Sequence, residues 1–139
     1  MSWEPYVAHN HEDNKSHGSL RIFRSMQSPQ LGNARDVFVY RPPQYDQTDK
    51  RYPVVYMHDG QNLFDAKTSF AGEWNVDGTL DEASEEGVEA IVVGVANVGA
   101  ERANEYSPFD DPKHGKARGD AYIAFLTETL KPTIDRDFR

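Results

Sequence analysis

The fold is decided by YPVVYMHDG (residues 52–60) and AIVVGVAN (residues 90–97), two short apolar runs. Neither run has a polar face along Val54 to Met57 or Ile91 to Val95, which is typical of strands covered by helices on both sides. Between them, residues 75–86 (NVDGTLDEASEE) have the pattern of a helix. Strand, helix and strand in this order predict a βαβ unit with a parallel pair of strands, neighbouring or nearly so and buried on both faces.

Upstream of this unit, two alternating runs predict an antiparallel hairpin. They are SLRIFRSM, residues 19–26, and RDVFVYRPP, residues 35–43, on either side of a turn that contains Gly32 and Asn33. The two prolines that close the second run end that strand, because proline cannot donate a hydrogen bond to a neighbouring strand.

Downstream of the unit, the sequence predicts one helix that begins near Asp120. Asp120 follows Gly119 and is a good capping residue, whereas Pro132 removes a backbone donor and should kink or interrupt the helix. Apolar residues recur at spacings of three and four, which predicts a single buried stripe. The stripe consists of Tyr122, Ile123, Phe125, Leu126, Leu130 and Ile134.

Composition excludes several classes of function. The 139 residues carry 23 acidic and 15 basic side chains, a net charge of -8, and this balance argues against nucleic acid as a partner, because phosphate binding needs Lys and Arg clustered on one face. Cysteine is absent, which excludes disulfides, thiolate catalysis and cysteine-bound metals. No apolar run approaches the roughly 18 residues of a membrane span, and the first residues lack the pattern of a signal peptide. We therefore expect a cytoplasmic protein.

Residues 1–18 are predicted to be a polar leader. They contain His9, His11 and His17 beside two carboxylates, and such a cluster can ligate zinc or nickel. A hydrophilic leader or an edge segment without a metal accounts for the same composition. We predict no metal site and no cofactor, and zinc uptake that is lost on deletion of the leader would support the alternative of a metal-binding protein.

Two polar loops follow the apolar strands, and ligands of open α/β sheets bind at such carboxyl ends. The first loop is HDGQNLFD, residues 58–65, in which Asp59 is a candidate substrate contact and Gly60 permits a turn that other residues resist. The second is NVGAERANEYSPF, residues 97–109, in which the candidates are Arg102, Glu105 and Tyr106. The alternatives are an Asp59 carboxylate that bonds nearby backbone amides and a plain Arg–Glu ion pair within the second loop.

The catalytic motifs that would complete such a site are missing from these 139 residues. No glycine begins G-x-S-x-G, the strand-to-helix turn that presents a serine nucleophile, and H-E-x-x-H, G-x-G-x-x-G and G-K-[ST] are absent as well. The sequence thus has loops suited to a site but no convincing nucleophile and base.

Several long segments, in order along the chain, resemble one family. They are YPVVYMHDGQNLFD, GEWNVDGTLDE, IVVGVANVGAERANEYSPF and GDAYIAFLTETLKPTIDRDFR. The chain from Ser19 to Arg139 resembles the putative-esterase family of α/β hydrolases, which includes enterobactin-type siderophore esterases and feruloyl and acetylxylan esterases. Several long motifs in register are far more specific than one short motif.

The resemblance implies both a fold and the roles of particular residues. It implies the amino-terminal part of an α/β-hydrolase fold, over residues 19–139, with a mostly parallel sheet and an antiparallel amino-terminal hairpin. The loop with Gly60, Gln61 and Asn62 corresponds to the family's oxyanion-hole loop, with a backbone N–H near Gln61 facing the substrate. The family's serine turn begins shortly after the position of Arg139, so the resemblance places the nucleophile, acid and histidine outside these residues.

The predicted function is therefore that of a serine-esterase-like carboxylic ester hydrolase, present as an amino-terminal segment without the triad. We expect a small-molecule ester as the partner of the whole enzyme, no nucleic acid or membrane partner, and no activity of this chain alone. An incomplete sheet predicts self-association. The alternative is a shortened, non-catalytic relative that acts as a binding module, and the sequence does not indicate which ester is cleaved.

Overall fold

The computed structural model describes residues 2–8 and 19–139. Within them the strands are β1 (Glu4–Tyr6), β2 (Ser19–Ser28), β3 (Asn33–Arg41), β4 (Val54–His58) and β5 (Ile91–Val95). The α-helices are α1 (Val76–Glu85), α2 (Arg102–Glu105), α3 (Gly119–Ala124) and α4 (Lys131–Asp137), and a π-helical segment (Phe125–Leu130) joins α3 to α4. Short 3-10 turns occupy Tyr45–Gln47, Gly60–Asn62 and Gly99–Glu101.

The chain divides into two compact units. The first unit consists of Met1–Ser25 and Asp36–Ala96, and the second consists of Met26–Arg35 and Asn97–Arg139. The predicted hairpin is present as β2 and β3, and its tip belongs to the second unit.

The sheet confirms the βαβ prediction. Its strand order is β1-β2-β3-β5-β4. β4 and β5 are parallel, with Val54 opposite Ile91 and His58 opposite Val95, and α1 lies between them along the chain. β5 pairs on its other side with β3, which runs antiparallel to it, and β1 is antiparallel to β2. Among the described strands the sheet is thus mostly antiparallel rather than mostly parallel, because the hairpin contributes its own strands beside the single βαβ unit.

Burial of the two central runs differs from the prediction in one respect. Every residue of β5 is buried, as expected for a strand with a neighbour on each side. β4 is the last strand in the order, and among the described residues it is paired only with β5. Val55 of β4 is 45% exposed and His58 is exposed, so the predicted burial of β4 on both faces is wrong.

The sheet begins inside the segment predicted as a polar leader. β1 pairs with β2 through Glu4 opposite Ile22 and Tyr6 opposite Leu20. The Tyr6 hydroxyl donates a hydrogen bond of 2.5 Å to Asp65 Oδ2. Burial, with the Asp65 carboxylate beside it, raises the pKa of Tyr6 well above its usual range. The candidate metal ligands of the leader, the three histidines at positions 9, 11 and 17, lie outside the described residues.

Helix α1 covers nearly the whole of the predicted range 75–86. The preceding residue, Asn75, has a left-handed backbone with φ of 55°. A methyl group at Gly78 would lie 2.6 Å from the Asn75 side-chain oxygen, so the glycine makes room for that side chain. Glycine costs about 1 kcal/mol relative to alanine within a helix, and the close approach of Asn75 explains why it is present here.

One apolar cluster of the first unit lies between the sheet and the segments that follow β4. Its central members come from β2, β3, β5 and the chain beyond the Gly60–Asn62 turn. They are Ala8, Leu20, Ile22, Phe38, Tyr40, Leu63, Phe64, Val92 and Ala96.

The long helix predicted near the end of the chain is divided in the second unit. It begins at Gly119, so Asp120 is the second helical residue and its predicted capping role is wrong. A methyl group at Gly119 would lie 2.7 Å from the Ser107 carbonyl oxygen, a contact that requires glycine at the first position. The π-helical segment precedes Pro132, which agrees with the predicted interruption, since proline lacks a backbone donor.

Most of the predicted apolar stripe is buried. Tyr122, Phe125, Leu130 and Ile134 are each at most 3% exposed. Ile123 is 59% exposed and therefore is not part of the stripe, since it lies about 100° around the helix from its buried neighbour Tyr122.

Candidate functional site

The candidate site is the turn that follows β4 in the first unit. Asp59 has a left-handed backbone, with φ of 54° and ψ of 49°, and the 3-10 turn Gly60–Asn62 begins directly after it. Asp and Asn tolerate this conformation better than most residues with a side chain. A positive φ at a residue other than glycine is uncommon and often occurs at functional sites, and in this unit Asn75 before α1 has it as well as Asp59.

The hydrogen bonds of the turn show which of the predicted oxyanion donors already have a partner. The Asn62 N–H donates to the Asp59 carbonyl (2.9 Å), and the Leu63 N–H donates to the Gly60 carbonyl (3.3 Å). The Gly60 N–H has no hydrogen-bond partner among residues 2–8 and 19–139. An oxyanion donor must be available to the substrate, so the bond to Asp59 argues against the Asn62 amide and the geometry favours Gly60.

Glycine is required at position 60 for a reason other than the predicted one. The residue with the unusual backbone is Asp59, whereas Gly60 has no positive φ. A methyl group at Gly60 would lie 2.5 Å from the carbonyl carbon of Gly94 and 2.6 Å from its oxygen, closer than real side chains come. Position 60 therefore needs glycine because the turn lies directly against the backbone of β5.

Hydrogen bonds from Thr68, Phe70 and Trp74 hold the segment of residues 65–74 to this turn. The Thr68 hydroxyl donates to the Gln61 carbonyl (2.6 Å). Asn62 accepts the Phe70 N–H at its side-chain oxygen (3.0 Å) and the Trp74 N–H at its carbonyl (2.9 Å). Asn62 therefore joins the turn to this segment, a role that its position in the sequence did not indicate.

A pocket of about 240 Å³ lies beside the turn. It is lined by Tyr56, Met57, His58, Asp59, Asn62, Leu63 and Trp74. Trp74 is 68% exposed, and Phe70 on the same segment is 96% exposed. The predicted substrate contact Asp59 thus lies at a pocket whose other walls are partly aromatic. Trp74 is not among the site residues predicted from the sequence, because a single tryptophan in a loop has no periodicity to interpret.

The remaining predicted contacts belong to the second unit. Glu105 is fully buried, and its Oε2 accepts hydrogen bonds from Arg35 Nη2 (2.8 Å) and Asn33 Nδ2 (3.0 Å). The guanidinium of Arg35 also lies over two aromatic rings, at 5.3 Å from the ring centre of Tyr122 and 5.4 Å from that of Phe125. Glu105 therefore pairs with an arginine 70 positions away and holds α2 to the hairpin tip.

Arg102 and Tyr106 have a different arrangement from Glu105. The Arg102 guanidinium lies over the Tyr106 ring, 5.1 Å from its centre. Arg102 is exposed and Tyr106 is partly buried, so both can reach a ligand. Tyr106 also packs edge to face on Tyr122, at 5.2 Å between ring centres. The alternative of an ion pair between Arg102 and Glu105 is wrong, because the Glu105 carboxylate pairs with Arg35.

Within residues 2–8 and 19–139, no group of three or more His, Asp or Glu side chains is arranged to hold a metal ion. In the same part of the chain, no helix has the length and apolar character needed to cross a membrane.

Residues 28–139 match the model of the family described as "Putative esterase". No curated protein matches the sequence. Solved structures do match. An IroE-like serine hydrolase from Shewanella oneidensis has a TM-score of 0.69 and 23% identity, and the match covers 86% of this chain and 39% of the hydrolase. The BES protein from Bacillus cereus has a TM-score of 0.67 and 24% identity, and the match covers 97% of this chain and 51% of the BES protein.

An S-formylglutathione hydrolase from Agrobacterium tumefaciens matches with a TM-score of 0.59 and 19% identity, covering 99% of this chain and 48% of its own. These similarities show that the chain has part of the α/β-hydrolase fold. The chain spans between about two fifths and one half of the length of these three structures.

Proposed function

Because this chain belongs to the "Putative esterase" family, we propose that it is the amino-terminal part of a carboxylic ester hydrolase. Residues 19–139 would form the first part of the hydrolase domain. The observation that carries the proposal is the turn after β4, where the Gly60 N–H has no partner among the described residues and Asp59 takes up a left-handed backbone.

The turn would serve the reaction by holding negative charge. When a nucleophile attacks an ester carbonyl, the carbonyl oxygen becomes an oxyanion, and backbone N–H groups directed at it stabilise the transition state. Such donors act because they are held in place before the substrate arrives. The hydrogen bonds at Asn62 and Leu63 fix the turn, and the Gly60 amide would donate to the oxyanion.

The rest of the chemistry would follow the serine esterase pattern. A serine hydroxyl attacks the carbonyl, a histidine takes its proton and returns it to the leaving alcohol, and a carboxylate orients the histidine. The 139 residues contain no G-x-S-x-G sequence, so we propose that these three groups are supplied by the parts of the fold that this chain does not span.

The substrate would be a small-molecule ester that enters the pocket beside Trp74. Asp59 and Trp74 line that pocket, and we propose them as contacts to the ester. In the second unit, Arg102 and Tyr106 remain candidates for contacts to polar groups of the substrate. We assign Glu105 instead to holding its own loop in place, because its carboxylate is fully buried against Arg35.

Labelling with a serine-directed fluorophosphonate tests the proposal. The 139-residue chain should take no label and show no burst with a p-nitrophenyl ester, because serine is a weak nucleophile without a base within hydrogen-bond reach. The product of the complete coding sequence should take one label per molecule, at a serine within G-x-S-x-G. Stoichiometric labelling of the 139-residue chain would contradict the proposal. A complete coding sequence without such a serine would favour the binding module instead.

A further inference from the structure

The Gly60–Asn62 turn rests on one residue of β5. Gly94 lies in the middle of that strand, opposite Met57 of β4 and Phe38 of β3. Gly94 and Gly60 lie so close together that a side chain at either position would meet the backbone of the other. A methyl group at Gly94 would lie 3.2 Å from the Gly60 Cα, 3.0 Å from a terminal carbon of Leu63 and 3.4 Å from the Phe64 ring. The absence of a side chain at position 94 therefore creates the space that the turn occupies.

The partners of a side chain at position 94 differ in how far they can move. β5 itself is held by strands on both sides, so it has little freedom to retreat. The terminal carbon of Leu63 belongs to a flexible side chain and can rotate. The Gly60 Cα is backbone, and it can give way only if the turn shifts by a few tenths of an ångström.

We infer that Gly94 is a positioning residue for the ester hydrolase reaction, because its bare backbone sets the place of the Gly60 amide. The catalytic consequence rests on the proposed function, whereas the positional effect does not. A shift of the turn by a few tenths of an ångström moves the donor away from the oxyanion, whereas Tyr56, Met57 and Trp74, which also line the pocket, lie outside the turn. Since the oxyanion forms only in the transition state, kcat falls and KM stays close to its original value.

The test compares Gly94→Ala with the matched variant Val92→Ala in the full-length protein. Both residues are buried in β5, and Val92→Ala removes core contacts without adding an atom against the turn. We expect kcat for a p-nitrophenyl ester to fall about 10- to 100-fold in Gly94→Ala, since small displacements of a catalytic group have effects of this order. Val92→Ala should lower the melting temperature while kcat stays near that of the original protein.

A third variant separates the two contacts. Leu63→Val in the Gly94→Ala background removes the terminal carbon of Leu63 that the new methyl would meet, while the Gly60 Cα stays where it is. The loss of kcat should persist in this double variant. Restoration of kcat would overturn the inference, because the effect would then arise from the Leu63 side chain.

The Gly60 amide gives a readout that does not need activity. Its ¹H–¹⁵N resonance and exchange rate should change in Gly94→Ala and stay unchanged in Val92→Ala. An unchanged Gly60 resonance in Gly94→Ala overturns the inference, whatever the kinetics. If the full-length protein hydrolyses no ester while Gly60 still responds to Gly94→Ala, the proposed function fails and the positional role of Gly94 is supported.

Discussion

Replacing Glu105 with alanine should destabilise this protein more than almost any other single substitution in the second unit. The Glu105 carboxylate and the Arg35 guanidinium are both fully buried, 2.8 Å apart. Removal of the carboxylate leaves the arginine charge in the interior without its partner. Breaking a buried pair in this way costs roughly 3–5 kcal/mol, a large part of the roughly 5–15 kcal/mol that stabilises a domain of ordinary size.

The same geometry predicts the result of removing both charges. In Arg35→Met with Glu105→Leu, neither charge of this pair remains, and the aromatic rings of Tyr122 and Phe125 can pack on the methionine. Such replacements are often neutral or stabilising. The double variant should therefore recover most of the stability lost in Glu105→Ala.

Urea denaturation followed by circular dichroism measures these differences. Asp135→Ala is the matched control, since it also removes a carboxylate from an ion pair, that of Lys131, but both side chains are more than half exposed. It should change the stability little. If Glu105→Ala were as mild as the control, the assignment of Glu105 to the interior of the second unit would be refuted. A raised KM at unchanged stability would then favour the substrate contact predicted from the sequence.

Three further predictions concern the first unit. Burial and the hydrogen bond to Asp81 raise the pKa of Tyr40. The unfolded chain releases this proton above about pH 10 and the folded chain retains it, so the free energy of unfolding falls as the pH rises further. Between pH 8 and pH 11, the free energy of unfolding of Tyr40→Phe should therefore fall less than that of the original protein, as measured by denaturation at both pH values. Asn62→Ala should speed chymotrypsin cleavage after Phe70 and Asn62→Asp should not, because aspartate keeps the acceptor; equal rates would contradict the role of Asn62. Trp74→Ala should raise KM for esters with little change in melting temperature, since the ring is 68% exposed; an unchanged KM would remove Trp74 from the pocket.

The exposed side of β4 bears on the expected self-association of the chain. β4 is apolar, Val55 is 45% exposed, and among the described residues no second strand pairs with it. Exposed apolar strands at the edge of a sheet are prone to pair with other chains. Sedimentation of the 139-residue chain at several concentrations tests this prediction, and a Val55→Lys variant should be more monomeric if β4 is the surface involved.

Local patterns in the sequence were sufficient for the main elements of the fold. The runs at Val54 to Met57 and Ile91 to Val95 predicted two parallel strands, and residues 75–86 predicted the helix between them. The hairpin was visible in the alternation on either side of Gly32 and Asn33. These features are readable because apolar side chains repeat with the period of the element that buries them.

The pairs of distant residues that come into contact were visible in the tertiary structure alone. It paired Glu105 with Arg35, although the sequence suggested a neighbour in the same loop, and it placed Gly94 under the turn at Gly60. It also left Val55 exposed at the end of the strand order. An apolar pattern records that a side chain is buried but not the partner against which it is buried. These partners are 34 to 70 positions apart along the chain, so their contacts arise from the packing of whole elements, which no local pattern contains.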